Sequence, residues 1–288
     1  MGQASRKWVA DGPRESLSRP KAACPRLSVV IPAKNEAKNI GWVVGRLPSI
    51  VDELILVDGR STDATIAVTR ALRPDVVVVQ DDQPGKGAAL RAGFAAARGD
   101  FVVMIDGDGS MDPAEISQFV EKLAEGSDLV KGSRFLSGGG SADISILRLL
   151  GNRALLELAN ALFGSSCSEL CYGYAAFRRT AILGLGLTAV GFEIETQLFL
   201  RAIRNGLRVD EVPSFEAPRR SGTSNLHTFR DGWRVLRTIL SERLRHGRPR
   251  SALEERPESF FVDSHAWVAV PVESGHIVVS AHAELSGD

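Results

Sequence analysis

The stretch FVVMIDGDGSMDP, residues Phe101–Pro113, decides the fold class of this chain. Phe101–Ile105 is a short, continuous apolar run between polar turn residues, which is typical of a strand buried on both faces of a sheet. Asp112 and Pro113 then have the residue types of an N-cap and a first helical position. A buried strand that leads through a polar turn into a helix is the repeating unit of α/β proteins.

Two carboxylates, Asp106 and Asp108, follow this strand and are separated by Gly107. Acids at the end of a parallel strand lie in the crevice where open α/β sheets bind ligands. A glycine between them lets the backbone turn and lets a bulky anion come close. Two hard oxygen ligands suit Mg²⁺ or Mn²⁺ shared with the phosphates of a substrate. The alternative is a polar Asp/Gly turn that binds nothing.

Apolar runs and amphipathic segments alternate on both sides of this stretch. Further strands are predicted at Leu27–Ile31, Glu53–Val57, Val76–Val79, CYGYAAF and LRVDEVP. Helical segments are predicted at about 35–47, 62–72 (capped by Ser61 or Thr62), 87–98, 145–163, 193–205 and 227–246. This alternation predicts an α/β fold with a single, Rossmann-like, mostly parallel sheet flanked by helices, and a helical C-terminal part.

The composition divides the chain into three regions. Residues 1–25 are rich in Arg, Lys, Ser, Gly and Pro and are predicted to be a disordered leader, whereas 26–246 form the folded domain. Residues 247–288 are predicted to be a tail that is partly disordered or forms a small hairpin. A Gly/Ser loop at Ser137–Ser141 is either a mobile lid or a linker.

Overall composition excludes several classes of protein. Lys+Arg and Asp+Glu both number 35, so the net charge gives no argument for nucleic acid binding. Cys24, Cys167 and Cys171 form neither an even disulfide framework nor a zinc-site spacing, which favours free thiols in a reducing compartment. No run approaches the roughly 18 apolar residues of a membrane span, and no signal peptide is evident. We therefore expect a cytoplasmic protein whose membrane contact, if any, is peripheral, at the inner face.

Polar segments end three of the predicted strands on what should be one edge of the sheet. They are Pro32–Glu36 (PAKNE), Asp58–Asp63 (DGRSTD) and Asp106–Asp108. Because the carboxyl ends of parallel strands meet at the same edge, we expect these segments to converge on one ligand site.

The motifs IPAKNE, LVDGRSTDAT, GKGAALRAGFAAARGD, MIDGDGSMDP, KGSRF, CYGYAAFRR and GFEIETQL resemble, in this order, those of family 2 glycosyltransferases of GT-A fold. The resemblance covers about residues 26–245, and within the family it is to soluble polyprenyl- or dolichol-phosphate hexosyl (mannosyl or glucosyl) synthases. It implies a donor such as a UDP- or GDP-hexose and a divalent metal ion, Mg²⁺ or Mn²⁺.

Carried over residue by residue, the resemblance assigns the donor site. Pro32, Ala33 and Glu36 would line the base and ribose, and Asp58 would accept a hydrogen bond from the base. Asp106 would lie near the ribose and metal, with Gly107 beside it, and Asp108 would be the main metal ligand. For Asp58 the alternative is a cap on the following helix. Ser110 stands where some relatives carry Gln, which leaves two metal ligands from the protein.

Three basic residues and one acid complete the predicted site. Arg134 in KGSRF is the candidate for the diphosphate because a guanidinium can engage two phosphate oxygens. Arg220, in RRSGTSN, would contact the phosphates from a late loop, unless that loop is only a basic surface turn. Lys86 would reach the nucleotide from a helix N-terminus, or it is a solvated lysine. Glu195 is preferred over Glu193 as a base, if the acceptor needs one.

The reaction implied is direct displacement with inversion, carrying a hexose to a polyprenyl phosphate. A soluble hydroxyl acceptor is an alternative, and so are a nucleotidyltransferase and a non-catalytic sugar-nucleotide-binding protein. One helix bears on the acceptor: Thr228–Arg245 carries an apolar stripe beside an arginine ridge. The stripe comprises Phe229, Trp233, Leu236, Leu240 and Leu244, and the ridge Arg230, Arg234 and Arg237. This pattern suits an anionic membrane surface or a lipid phosphate, unless the stripe packs on the domain.

Overall fold

The computed structural model describes residues 24–80, 83–223 and 227–245, together with the backbone of two strands farther on, Trp267–Pro271 and Ile277–Ala281. Most of the predicted leader and of the predicted tail therefore lies outside the described residues. The two late strands pair antiparallel. No helix in the described ranges is long and apolar enough to cross a bilayer.

The elements follow one another along the chain as alternating strands and helices. The strands are β1 Leu27–Ala33, β2 Glu53–Asp58, β3 Val77–Gln80, β4 Phe101–Met104, β5 Leu129–Ser133, β6 Gly140–Ser141, β7 Ala175–Arg178, β8 Val209–Pro213, β9 Phe215–Glu216, β10 Trp267–Pro271 and β11 Ile277–Ala281. The helices are α1 Ile40–Gly45, α2 Thr65–Leu72, α3 Lys86–Ala96, α4 Ile116–Ala124, α5 Ile146–Phe163, α6 Arg179–Leu183, α7 Ile194–Arg204 and α8 Thr228–Leu244.

Seven strands form the central sheet, in the order β3-β2-β1-β4-β7-β5-β8. All neighbours are parallel except β7, which runs antiparallel between β4 and β5. The predicted mostly parallel α/β sheet is thus confirmed. The chain leaves β1 toward β2 on one side and returns to β4 on the other, which makes the carboxyl end of β1 a topological switch point where ligands bind.

Helices cover both faces of the sheet, and the central strands are mostly apolar. Val30 and Val57 face a core cluster that includes Leu90 of α3, whereas Ile31 and Leu56 face a second cluster on the opposite side. This two-sided burial explains the continuous apolar runs in the sequence. The polar residues that follow the buried parts of β1 and β4 lie at the carboxyl edge of the sheet.

Several predicted boundaries differ from the structure for local reasons. The segment predicted to be helical from Asn35 becomes α1 only at Ile40, because Asn35 has φ 58°. The helix predicted at 62–72 begins at Thr65, and neither Ser61 nor Thr62 caps it. Their polar atoms instead bond Asn35, from the loop after β1.

The later elements agree more closely with the sequence pattern. The long helices predicted at 145–163, 193–205 and 227–246 are α5, α7 and α8. Of the strand predicted at CYGYAAF, the last three residues, Ala175–Phe177, belong to β7, and Cys171–Tyr174 is a loop. Within the predicted Gly/Ser loop, Gly140–Ser141 pairs with β9. The cysteines Cys24, Cys167 and Cys171 are free thiols, as expected.

Candidate active site

A cavity of about 750 Å³ opens at the carboxyl ends of β1 and β4. Two of the three predicted strand-end segments contribute their polar residues to it directly, and the end of β2 contributes Gly59. Among the residues predicted for the donor site, those that line the cavity are Pro32, Ala33, Glu36, Lys86, Asp106, Gly107, Asp108 and Glu195. The expected convergence of strand ends therefore produces a cavity lined by these residues.

Lys86 joins two of the acids in this cavity. Its Nζ lies 2.7 Å from Oδ1 of Asp106 and 2.8 Å from Oε1 of Glu195. Burial raises the pKa of Asp106 to about 6, with the charges of Asp108 and Glu195 adding to the effect while Lys86 opposes it. Burial alone would lower the pKa of Lys86, but the two carboxylates outweigh it and raise that pKa above its ordinary value. Lys86 is therefore not a solvated lysine but the buried cation of an acid cluster.

Asp108 faces the cavity from the turn after β4. Its Oδ1 accepts hydrogen bonds from the backbone N and Oγ of Ser110, at 3.0 and 2.8 Å. Its Oδ2 lies 3.2 Å from Nη1 of Arg219, and the same guanidinium is paired with Glu36. Ser110 thus orients the carboxylate of Asp108.

The donor atoms of this cluster fit a two-carboxylate site for a hard divalent cation. The ion pairs that the structure describes for Asp106, Asp108, Glu36 and Glu195 involve two cations, Lys86 and Arg219, so negative charge is in excess within this group. In the part of the chain that the structure describes, no three His, Cys, Asp or Glu side chains form a metal-binding group. Mg²⁺ or Mn²⁺ would therefore take most of its ligands from water and from substrate phosphates, which is usual for Mg²⁺.

Glu36 is held in place by a residue that the motif analysis did not single out. Nδ2 of Asn39 donates to Oε2 of Glu36 at 2.6 Å and to the carbonyl of Ser221 at 3.0 Å. Asn39 therefore ties the loop after β1 to the loop after β9. An asparagine three positions after a strand-end motif carries no sequence signal that would have identified it.

Asp58 ends β2 beside the cavity without lining it. The residue is 1% exposed, and its Oδ2 accepts from the backbone N of Ser61 at 3.0 Å. Its Oδ1 has no hydrogen-bond partner among the described residues. The alternative of a cap on α2 is wrong, because Asp58 closes the turn that precedes the helix. The second oxygen remains able to accept a hydrogen bond from a ligand.

Arg134 does not occupy the predicted position. Its side chain is buried, with Nε 2.8 Å from Oε2 of Glu169 and Nη1 2.9 Å from Oε2 of Glu216. Nη2 donates to the carbonyl of Cys171 at 3.2 Å, and the guanidinium stacks on Tyr172. The described lining of the cavity does not include Arg134. The expected diphosphate contact is therefore not supported, because every nitrogen of the fork already has a protein partner.

In the late loop, the described lining of the cavity includes Arg219 and not the predicted Arg220. The guanidinium of Arg220 lies 4.7 Å from the ring centroid of Trp42, a cation–π distance, and only its backbone N donates to Asp108. Arg219 is the residue whose side chain reaches the acids and lines the cavity. In an RR pair the sequence alone cannot tell which arginine turns inward.

The helix N-terminus after Gly85 is not an open anion site. The backbone N–H groups of Gly87 and Ala88 both donate to the carbonyl of Val190, at 2.9 and 3.2 Å. Lys86 therefore acts through its ammonium and not through the helix end. On the same segment as Val190, Glu193 accepts from backbone N–H groups at Val190 and Gly191, which leaves Glu195 as the acid that faces the cavity.

The far wall of the cavity is formed by α5 and α8. Asn152 and Leu155 line it from α5, and Arg230 and Arg234 from α8. The buried face of α8 consists of Asp231, Val235, Thr238, Ile239 and Glu242. Both acids of α8 therefore point inward, Arg230 and Arg234 line the cavity beside Asp231, and the predicted stripe lies on another face of the helix.

The apolar stripe of α8 does not pack on the described domain. Phe229 and Trp233 are 81% and 67% exposed, and Leu240 and Leu244 are exposed as well, while Leu236 is partly buried. The start of α5 adds further exposed apolar side chains: Ile146, Leu147 and Leu150. Leu147 and Phe229 share a shallow depression, so the two groups are continuous. We call this surface the apolar face. It is formed by Ile146, Leu147 and Leu150 of α5 and by Phe229, Trp233, Leu240 and Leu244 of α8.

Comparison with known proteins identifies relatives of this arrangement. The model of the family described as "Glycosyl transferase family 2" matches residues 28–185. A polyprenol monophosphomannose synthase of Mycolicibacterium smegmatis is 34% identical over 70% of the chain and 81% of that protein. An undecaprenyl-phosphate mannosyltransferase of Micrococcus luteus is 31% identical over 70% of the chain and 87% of that protein.

Solved structures give the same result for the fold. Glucosyl-3-phosphoglycerate synthase from Mycobacterium tuberculosis, in complex with Mg²⁺ and uridine diphosphate, has a TM-score of 0.61 and 28% identity over 76% of the chain and 80% of its own. The same synthase in complex with phosphoglyceric acid gives the same TM-score, 0.61. The predicted GT-A fold is therefore confirmed.

Proposed function

The chain belongs to glycosyltransferase family 2, and we propose that it moves a hexose from a nucleoside-diphosphate sugar to a polyprenyl phosphate, with inversion at the anomeric carbon. The observation that carries this proposal is the cavity in which Asp106 and Asp108 lie at one end and the α5/α8 wall at the other. The first end suits a metal-bound diphosphate. The second suits an acceptor that arrives from the apolar face.

The donor nucleotide would lie along the ends of β1 and β2. Pro32, Ala33 and Glu36 line that part of the cavity and would contact the base and ribose. Oδ1 of Asp58 would accept a hydrogen bond from a base N–H, and a carboxylate can only accept. Both uracil and guanine offer such an N–H, so UDP- and GDP-hexoses are both candidate donors.

Asp106 and Asp108 would hold Mg²⁺ or Mn²⁺, with Asp108 as the main ligand, beside Gly107. Bound there, the cation would supply Lewis-acid stabilisation of the negative charge on the departing nucleoside diphosphate. Arg219 would add a protein cation to the same phosphates, because it already contacts Asp108 from a loop that lines the cavity. This role replaces the one predicted for Arg134 and Arg220.

The acceptor end requires little acid–base chemistry from the protein. A phosphate monoester is already anionic and attacks without a base, so the main task is to hold it in line with the anomeric carbon. Glu195 shares the ammonium of Lys86 and would orient the sugar or the acceptor. It would act as a base only for a hydroxyl acceptor.

The lipid part of the acceptor would lie against the apolar face. Exposed arginines of α8 stand beside exposed Phe229 and Trp233, and both acids of this helix are buried. This combination fits the surface of an anionic bilayer and the phosphate of its lipids. We place the protein on the cytoplasmic side, peripherally at the inner face of the membrane, where free thiols persist.

A soluble phosphorylated acceptor is the second candidate. It is favoured by the similarity to a synthase that has been solved in complex with phosphoglyceric acid. Phosphoglyceric acid has no lipid chain, so an enzyme of this kind has no use for the apolar face.

A transfer assay separates the two candidates. The full chain would be incubated with UDP- or GDP-hexose, Mn²⁺ and either a polyprenyl phosphate in detergent or 3-phosphoglycerate. We expect labelled hexose in the organic phase with the polyprenyl phosphate and no product with 3-phosphoglycerate. Product with 3-phosphoglycerate alone would establish the second candidate, and failure with every donor, acceptor and metal would refute the proposal.

A further inference from the structure

Lys86 occupies a position in the acid cluster that the reaction described above does not use. It is the first residue of α3, and its side chain is 11% exposed. Its Nζ lies 2.7 and 2.9 Å from the two oxygens of Asp106 and 2.8 Å from Glu195. One ammonium therefore spans two carboxylates from different elements, Asp106 after β4 and Glu195 on α7.

The space around this ammonium is closed by a glycine. A Cβ on Gly173 would lie 2.6 Å from Nζ of Lys86, 2.7 Å from Oε1 of Glu195 and 3.3 Å from Oδ2 of Asp106. No carbon atom can occupy that place unless the cluster moves. The need for glycine in the loop before β7 is thus steric, and it comes from Lys86 and its two partners.

The backbone that carries Lys86 is fixed by the segment that carries Glu195. A Cβ on Gly85 or Gly87 would lie 2.1 or 2.6 Å from carbonyl oxygens of the 189–191 loop, so α3 begins in direct contact with that loop. The N–H groups that follow Lys86 donate to the carbonyl of Val190. The backbone of Lys86 and the side chain of Glu195 are consequently held in one register before any ligand binds.

We propose that Lys86 is a positioning residue of the donor site: it neutralises Asp106 and Glu195 in the metal-free protein and so sets the orientation of the Asp106 carboxylate beside Asp108. This inference rests on the proposed function for the meaning of the metal site. Asp106 and Glu195 would repel each other and Asp108 without the ammonium, since buried like charges interact strongly at low dielectric. Lys86 holds Asp106 and Glu195 close together, and the absence of a side chain at Gly173 leaves space for its ammonium group.

Two consequences distinguish this role from an ordinary buried ion pair. Without the ammonium, the metal-free protein should lose stability that a divalent cation restores, because the cation can neutralise the same acids. The affinity for that cation should rise, because a nearby positive charge has been removed. Transfer should nevertheless slow through kcat more than through KM, since Asp106 loses its orientation while the nucleotide contacts remain.

The test compares Lys86→Met with Lys122→Met, which removes the same charge from an exposed ion pair on α4. Thermal unfolding is recorded without metal and with Mn²⁺, and Mn²⁺ affinity is measured by electron paramagnetic resonance without nucleotide. For Lys86→Met we expect a Tm about 4 °C below wild type without metal, a larger rise with Mn²⁺, and a Kd for Mn²⁺ about tenfold tighter. Lys122→Met should match wild type in each.

A second pair of variants keeps the charge of Lys86 and changes only the space around its ammonium group. Gly173→Ala should shift the same quantities in the same direction by less, whereas Gly45→Ala, where a Cβ meets nothing within 4 Å, should not. Lys86→Arg should recover part of the metal-free Tm, because it restores the charge, but not kcat, because the larger guanidinium does not fit beside Gly173.

The outcomes separate this inference from the proposed function. If Lys86→Met behaves as Lys122→Met in both Tm and Mn²⁺ affinity, Lys86 has no positioning role. If Lys86→Met does not fold, Gly173→Ala against Gly45→Ala decides in the same way. If wild type binds no Mn²⁺, the metal assignment of the proposed function fails, and the split between kcat and KM in Lys86→Met, compared with Lys122→Met, still decides the role of Lys86.

Discussion

Nη1 of Arg219 lies 3.2 Å from Oδ2 of Asp108, although 111 positions separate the two residues in the chain. The same guanidinium is paired with Glu36, so a single side chain of the late loop joins acids from the ends of β1 and β4. Under the proposed function, this guanidinium would also contact the metal-bound diphosphate. The contact therefore distinguishes Arg219, whose side chain pairs with Asp108, from Arg220, whose side chain stacks on Trp42.

Asp108→Ala should abolish metal-dependent transfer, with a loss of about 100-fold or more, because the main oxygen ligand of the cation is removed. Hexose transfer would be measured over a range of Mg²⁺ and Mn²⁺ concentrations. Asp112→Ala is the control: Asp112 caps the turn at Ala114, so its loss should lower stability and leave transfer in place. Full activity of Asp108→Ala at ordinary metal concentrations would refute the metal assignment.

Arg219→Met should raise the KM for the donor about tenfold or more, because a charge-assisted contact to the diphosphate is lost. Arg220→Met should change it by less than about threefold, since that side chain stacks on Trp42. Both variants remove one positive charge from the same loop. A larger effect of Arg220→Met would restore the original sequence-based assignment.

Asp58→Asn should weaken nucleotide binding about tenfold. Oδ1 of Asp58 would accept a hydrogen bond from a base N–H, whereas the amide NH₂ of asparagine is a donor and cannot accept one. Calorimetry with UDP and with GDP, each with Mn²⁺, measures the change and identifies the preferred base. Asp75→Asn, at an exposed ion pair with Arg73, should bind as wild type does. Equal affinities for Asp58→Asn and wild type would place the base elsewhere.

Replacing Arg230, Arg234 and Arg237 with Gln should reduce flotation with anionic liposomes, because each basic residue near such a surface contributes about 1 kcal/mol. The control removes three exposed arginines of other elements, Arg46, Arg70 and Arg98, and should float as wild type does. Calorimetric donor binding should be unchanged in both. Equal flotation of the two triple variants would remove the support for a membrane contact.

Arg134→Met should lower the free energy of unfolding by about 3–5 kcal/mol, because it leaves Glu169 buried without its partner. Urea denaturation measures the loss. Arg208→Met, which breaks an exposed pair with Asp210, should cost less than about 1 kcal/mol. If Arg134→Met keeps its stability but loses donor affinity, Arg134 is a diphosphate contact after all.

The sheet and the location of the cavity could be predicted from the sequence because they depend on local patterns. A continuous apolar run such as Phe101–Ile105 is a strand covered on both faces, and the polar residue that follows must lie at the sheet edge. Asp106, Asp108 and Glu36 accordingly line the cavity, and their roles there stay predictions. Boundaries such as the start of α1 depended on a turn conformation at Asn35 that no pattern indicated.

The positions of the arginines could not be predicted because their partners are distant in sequence. Arg134 is turned away from the cavity by Glu169 and Glu216, which lie 35 and 82 positions farther on. Arg219 and Arg220 are adjacent, and only the packing of Trp42 and the acids decides between them. Asn39 and Gly173 matter for similar reasons, since each acts on atoms that other segments bring close.

The orientation of α8 was also beyond sequence reasoning. Its apolar stripe would normally mark the buried face of a helix. The buried face instead includes Glu242, whose Oε1 lies 2.7 Å from Nη2 of Arg201 and 3.0 Å from Nε2 of Gln197, both on α7. These polar partners on a neighbouring helix turn the stripe outward.

The antiparallel strand β7 has a consequence for how such an enzyme can diversify. It separates the strand ends between Leu27 and Asp108, which would bind the donor, from β5 and β8 on its other side. The proposed acceptor wall, α5 and α8, follows this first half in the chain. Chimeras that exchange α5 and α8 between relatives should therefore change the acceptor while the choice of nucleotide is inherited from the other half.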